Sequence, residues 1–273
     1  MKKLTYFAYA SLLAALSGMA FPAIAQKSSS EAIAEYRAAL QDGNPADLNA
    51  ARGEILWKTA RGPSNVSLEQ CDLGVGVGKV KGAATKLPRY FADTKHVMDL
   101  ESRLVHCMMT LQGFKADEFT TKTAFSNEGQ RATVIEDLVA YIYDESREMS
   151  ISVPQGHKEE KAAYARGKKI FFFKGGPYDF SCASCHSQDE KRIRLQDLPN
   201  LTAPEPAKAA FAQWPAYRVS QGALRTMQWR LYDCFRQQRF PELQYLSQTS
   251  IDLTTFLGVN ANGGKMAAPA IKR

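Results

Sequence analysis

Cys182, Cys185 and His186 stand together in the run FSCASCHSQDE. Two thiols separated by two residues and followed at once by an imidazole form the pattern that attaches c-type haem. Each thiol adds to one haem vinyl, and the adjacent histidine presents its ring to the iron from the proximal side. With five cysteines and four histidines in 273 residues, the string has a chance expectation on the order of one in a thousand. The rival chemistries for C-x-x-C are a thioredoxin-like dithiol and half of a zinc site. They require a preceding strand or a second C-x-x-C, and the sequence supplies neither. The pattern predicts one haem c, held by Cys182 and Cys185, with His186 as an axial ligand.

The second axial ligand has three candidates. Small electron carriers commonly use a methionine, which raises the potential. Met227 and Met266 are available, the first at core spacing on a helix and the second in a GGKMAAPA tail that reads as mobile. Cys234 competes with both. A lone thiol in an oxidising compartment needs a partner or protection, and thiolate is an established haem ligand, so Cys234 is favoured over either methionine.

These residues must be held by an architecture, and the chain repeats itself. Ala51-Arg52-Gly53 returns as Ala165-Arg166-Gly167, and at the same offset Gly62-Pro63 returns as Gly176-Pro177, Ser67 as Ser181 and Cys71 as Cys185. Further on, with a longer middle loop in the second copy, Arg103-Leu104-x-x-Cys107 returns as Arg230-Leu231-x-x-Cys234. Such periodicity marks a duplicated unit. Leu100, Leu104, Cys107 and Leu111 have helical spacing, as do Leu224, Met227, Leu231 and Cys234. Further helices are expected at 132–144 and 249–258. The run QDLPNLTAPEPAKAAFAQWPAYR reads as the longer loop, and Pro and Gly near 152–160 mark the link. The expected fold is mainly α, with two tandem cytochrome c-like domains at 26–152 and 153–273.

The register also exposes a loss. Against Cys182-x-x-Cys185-His186 the first copy has Leu68-x-x-Cys71-Asp72, lacking one attachment thiol and the histidine. That copy is expected to have lost its haem. Its Cys71 and Cys107 occupy an attachment and a distal position, so they should meet as a disulfide. His106 lies beside Cys107 on a different helix face, and His96 and His157 read as surface.

The N-terminus places the chain in a compartment. MKKLTYFAYASLLAALSGMAFPAIAQ has two lysines, a short apolar stretch and an A-x-A site ending at Ala25, the layout of a cleaved signal peptide over 1–25. Periplasmic export follows, with no membrane span in the mature chain. The formal charge is +7, and the lysines and arginines are scattered, with no nucleic-acid motif.

Together RGPSNVSLEQCDLGVGVGKVKGAATKLPRYFADT, DLESRLVHC, CASCH and WRLYDCFRQQRFPEL make the chain resemble the SoxA family, the cytochrome subunits of the SoxAX complexes of bacterial thiosulfate oxidation. The resemblance runs over nearly the whole mature chain. It implies an L-cysteine S-thiosulfotransferase: thiosulfate is joined oxidatively to a cysteine of the carrier SoxYZ, with electrons passing through haem to SoxX and an acceptor cytochrome c. It implies a heterodimer with SoxX, and Leu68 and Asp72 place the chain with one-haem members. The family's active-site cysteine, which can carry a persulfide, falls on Cys234, and its active-site arginine on Arg230. Being i and i+4, these two share a helix face, and a guanidinium fork suits an oxyanion. A salt bridge or a haem propionate contact is the duller role for Arg230, and it is the expected role of the repeated Arg103. The alternative function is a plain periplasmic electron carrier with methionine ligation. A haem-based sensor would need an output module that the sequence does not contain.

Overall fold

The computed structural model describes residues 31–32, 35–36, 38–39, 42–126, 132–193 and 196–272, and in it the two Ala-Arg-Gly runs open the same arrangement twice. The leader expected over 1–25 lies outside the described residues. In the first copy α1 (Ala46–Lys58) is followed by a hairpin of β1 (Arg89–Phe91) and β2 (His96–Met98), then by α2 (Leu100–Thr110) and α3 (Val134–Asp144). In the second, α4 (Lys158–Phe172) leads to a short α5 (Cys182–His186) and a small hairpin of β3 (Arg192–Ile193) and β4 (Gln196–Asp197). Then come α6 (Pro204–Phe211), the hairpin of β5 (Ala216–Arg218) and β6 (Ala223–Arg225), α7 (Met227–Gln237) and α8 (Gln248–Asn260). A last strand, β7 (Ala270–Lys272), lies parallel to β5.

Local chemistry sets the helix starts. Asp99, Thr133, Ser181, Thr226 and Ser247 each accept a backbone N–H from the first turn of the helix that follows, satisfying donors that a helix cannot bond internally. His157 does the same for α4, its Nδ1 accepting from Glu159 N at 3.2 Å. Its ring also stacks on Tyr90 at 3.7 Å, so this histidine is a cap and a contact between the copies rather than plain surface.

The first and last helices of each copy cross at a glycine. A side chain at Gly53 would collide with the backbone carbonyl of Asp137 on α3, and one at Gly167 would collide with that of Asp252 on α8. Beside each crossing an arginine grips the same aspartate with two bonds. Arg52 Nε and Nη2 lie 2.9 and 2.8 Å from Asp137, and Arg166 Nε and Nη2 lie 2.6 and 2.9 Å from Asp252. Trp57 and Phe171 fill equivalent core positions one turn on. The repeated pairing partner, Asp-Leu at 137–138 and 252–253, is a second half of the repeat that the Ala-Arg-Gly run alone does not reveal.

The copies meet through their equivalent helices. Gln228 Nε2, near the start of α7, donates to Asp99 Oδ2 at 2.6 Å, and Gln228 N donates to Glu101 Oε1 on α2 at 3.4 Å. Burial, reinforced by Asp99, pushes the Glu101 carboxyl well above the usual range, against the hydrogen bonds from Thr226 and Gln228 that favour its charged form. Arg225 and Glu136 add a fully buried ion pair at 3.1 Å.

Three expectations need correction. The Pro- and Ala-rich middle run is not all loop: it holds α6, with Pro204 in the first turn where a missing N–H costs nothing, and β5. Leu224 belongs to β6, and α7 starts only at Met227. The C-terminal tail is fixed: Met266 is fully buried, its N–H donates to Met149 O at 2.9 Å, and its carbonyl accepts from Glu148 N at 2.8 Å. Pairing with residues distant in sequence holds what local composition reads as mobile.

Gly167→Ala should force α4 off α8 and cost about 1–3 kcal/mol, the usual cost of overpacking, measured as a lowered denaturation midpoint; an unchanged midpoint would contradict the close crossing. The Cys71–Cys107 disulfide is present, with Cα atoms 5.7 Å apart and a sequence separation of 36. Replacing both cysteines by serine should cost about 3–4 kcal/mol by the loop-entropy relation, and a loss well below 1 kcal/mol would show that the bridge constrains little.

Candidate haem and thiol site

After α4 the chain turns sharply at Gly176, whose positive φ of 68° suits a glycine, and Gly175 pairs with Phe180 in a one-step bridge. Ser181 then caps α5, its Oγ accepting from Ser184 N at 3.1 Å. The single helical turn sets Cys182 and Cys185 three residues apart, with His186 next along. The first copy has the same turn, with Gly62 at a φ of 69° and Arg61 bridged to Val66.

Cys182, Cys185, His186, Met227, Arg230 and Cys234 all line one cavity of about 490 Å³. Its walls are largely apolar, with Phe171, Phe211, Leu253 and Leu257 among them. This matches the size and lining of small-molecule and cofactor sites. Met266 is buried elsewhere and does not line it.

His186 is oriented by a backbone carbonyl of a residue that also lines the cavity. Its Nδ1 lies 2.9 Å from the carbonyl of Pro199. A carbonyl can only accept, so Nδ1 carries the proton and Nε2 keeps its lone pair. Burial, with help from Arg230 and against the Pro199 hydrogen bond, lowers the pKa of the imidazole and so favours the neutral form that ligates metal. The sequence reading missed Pro199. Fixing one ring nitrogen by hydrogen bonding so that the other can ligate is the usual support for a histidine ligand. Two thiols on one turn, a neutral ring with a free Nε2, and apolar walls fit a covalently attached haem.

Helix α7 brings Arg230 and Cys234 to the same cavity. Burial pushes the Cys234 thiol up, and Arg230 pulls it back down. Arg230 Nη1 is 3.3 Å from Asp233 Oδ2. That carboxylate also accepts from Arg236 at 2.7 Å and from Gln237 at 2.6 Å, so Arg230 holds only a long share of it. The salt bridge expected as the duller role therefore exists, in weak form.

The first copy shows what happens to the same positions when they are tied down. Arg103 is buried, donates from Nη1 to Asp93 at 2.7 Å and from Nε to the Asp72 carbonyl at 2.7 Å, and lies 4.1 Å from the Phe91 ring centroid. This is the salt-bridge role expected of it, although in a buried setting. Cys107 is bonded to Cys71. Asp72, where the second copy has His186, instead accepts the N–H groups of Gly74 and Gly76. His106 lies 3.8 Å from Asp93.

Two cations at the cavity went unread in the sequence. Arg218 ends β5, and Lys272 lies on β7 next to it. The signal was available: Pro88-x-Tyr90 and Pro215-x-Tyr217 share the register of the R-L-x-x-C runs and begin matching hairpins. In that register Phe91 becomes Arg218 and Asp93 becomes Ser220, so the second copy replaces both side-chain partners of the first copy's arginine.

The cytochrome c domain model of the SoxA/TsdA family matches residues 52–151 and again 166–266. Over 89% of its length the chain is 53% identical to the L-cysteine S-thiosulfotransferase subunit SoxA of Hydrogenophilus thermoluteolus, covering 88% of that protein. It is 28% identical to a SoxA of Hydrogenobacter thermophilus across 96% of each chain. The SoxXA crystal structure from P. pantotrophus superposes with a TM-score of 0.71 at 21% identity, over 88% of this chain and 84% of that one, and shares the fold. With two tandem cytochrome c-like domains, this chain belongs to the SoxA family.

Proposed function

We propose that this chain is the catalytic subunit of a periplasmic L-cysteine S-thiosulfotransferase, exported through a leader over 1–25. In this reading residues 26–152 form a copy that has lost its haem and residues 153–273 form the copy that keeps one. Cys182 and Cys185 would hold that single haem c covalently, and His186 and Cys234 would ligate its iron. The group, when bound, supplies a one-electron relay towards a SoxX-type partner subunit and an acceptor cytochrome c. The observation that carries the reading is the pairing of Arg230 with Cys234 on one helix face at the cavity that C-x-x-C-H also lines. Their counterparts Arg103 and Cys107 are both consumed by structural bonds.

The reaction joins thiosulfate to a cysteine thiol of the carrier SoxYZ as a protein S-thiosulfonate, releasing one proton and two electrons to the acceptor. The chain's own residues supply charge and sulfur. Arg230 binds the sulfonate end of the dianion with its fork of donors, and Arg218 and Lys272 add positive potential at the cavity. Cys234 presents its sulfur, as thiolate or persulfide, to the outer sulfur of thiosulfate. Apolar walls around Cys234 exclude water and strengthen these charge interactions. A plain electron carrier is the competing reading, and it draws on Met227, which lines the same cavity.

Cys234→Met separates the two readings. Thiolate stabilises the oxidised iron more than thioether does, so the variant should show a raised reduction potential and an altered optical spectrum. An unchanged spectrum and potential would remove Cys234 from the ligand set. Arg230→Ala should leave haem content intact and lower thiosulfate-dependent reduction of acceptor cytochrome c, in the presence of SoxYZ, about ten- to a hundredfold, as expected for losing a charged hydrogen bond of about 1.5–3 kcal/mol. Arg230→Lys should recover part of that loss, since it keeps the charge without the fork. Wild-type turnover in Arg230→Ala would exclude the residue from substrate binding.

A further inference from the structure

Helix α4 ends, and the turn before the haem motif begins, in a cluster of exposed aromatic side chains. Phe172, Phe173, Tyr178 and Phe180 are 46%, 71%, 47% and 44% exposed. None of them lines the cavity. They belong together: Phe173 packs over Gly175, Gly175 pairs with Phe180, and the Tyr178 and Phe180 rings are 6.1 Å apart. Arg239 sits 5.4 Å from the Tyr178 ring, and next to it Phe240 reaches Gly176 on one side and the cavity on the other.

The duplicated fold provides an internal control. In the register of the repeat, Phe172, Phe173 and Tyr178 fall on Lys58, Thr59 and Ser64, which are also exposed. The same backbone therefore needs no aromatics at these positions, and the first copy fills them with polar groups. Lys58 even pairs with Glu54, at 2.5 Å. Phe240 likewise falls on Gly113. Phe180 falls on the half-buried Val66, so among the described residues three of the four exposed aromatics have polar counterparts in the first copy, and the cluster sits on the turn leading straight into the two attachment cysteines. Exposed aromatics grouped in this way mark an interaction site.

We infer that this surface is the docking face for the electron-accepting cytochrome subunit. The inference rests on the reading above and assigns its partner a place. Electrons leave a buried group only across a short gap, so an acceptor must cover the protein surface nearest the attachment turn, and this is the apolar part of that surface. Basic side chains outnumber acidic ones between residues 168 and 193, with Lys168, Lys169, Lys174 and Lys191 all exposed. The complementary partner face is a small apolar patch with an acidic rim, which gives a salt-sensitive association rate.

The test gives the second copy the first copy's residues, in a Phe173→Thr, Tyr178→Ser double variant of the haem-loaded protein. Both side chains are exposed, and haem content and denaturation midpoint check that the fold is kept. Affinity for the SoxX-type subunit, by titration calorimetry, should fall roughly tenfold or more, because buried aromatic anchors dominate interface energies. Turnover onto SoxYZ should fall with it and recover when the subunit is added in excess. Unchanged affinity for the subunit, while wild type binds it, would overturn the assignment of this face alone. So would a loss confined to binding of SoxYZ or of phosphatidylglycerol vesicles. A wild-type chain that does not bind the subunit at all would overturn both this inference and the partner in the reading above.

Discussion

The close crossing of two helices at a glycine, locked by an arginine on the partner helix's aspartate, is the constraint on which the rest of this molecule depends. It occurs at Gly53 against Asp137 and at Gly167 against Asp252. Because the carbonyl of the aspartate occupies the space a side chain would need, the helices can meet only in one register. Arg52 and Arg166 satisfy the buried carboxylates beside each crossing with paired bonds, which is what makes a charge tolerable there. Everything between the two helices of each copy is then suspended from a fixed frame: the glycine turn, the cysteine-bearing segment, the hairpin and the helix with its arginine and cysteine.

A fixed frame lets equivalent positions diverge while keeping their places. In the first copy, core packing and bonds within the chain occupy those positions. Leu68 is fully buried, Cys71 and Cys107 close a bridge, and Arg103 is held by Asp93 and Phe91. In the second copy the same places hold Cys182, Cys185, Cys234 and Arg230, all facing one cavity. Replacing Phe91 and Asp93 by Arg218 and Ser220 leaves Arg230 with its long contact to Asp233 and sets Arg218 at the same cavity, which Asp197 also lines.

How much of this was legible in the sequence follows from whether the signal is local. C-x-x-C-H is five adjacent residues, and the Ala-Arg-Gly and R-L-x-x-C runs are short enough to match by eye, so the duplication, the haem motif and the Cys71–Cys107 partnership could all be read. Pro199 could not be read, because its contribution is a carbonyl that every residue possesses. Arg218 and Lys272 reach the cavity through the pairing of β5 with β7, two strands far apart in sequence. Met266 was misread for the same reason, since its burial comes from residues 148–149. Helix α6 hid behind its own prolines, which in a first turn start a helix rather than break one. The aromatic cluster at 172–180 was in plain view. Only its exposure, set against the polar first copy, separates it from core.

The central claim is that one fold, used twice, holds a disulfide in its first copy where its second holds haem and a reactive thiol. Mass spectrometry of the purified mature protein, digested without reduction, tests this most directly. The account predicts a single haem, carried on the peptide with Cys182 and Cys185, a cross-linked pair of peptides containing Cys71 and Cys107, and a population of Cys234 peptide heavier by one sulfur atom. Haem absent or present twice, or Cys71 and Cys107 both recovered as free thiols, would contradict it.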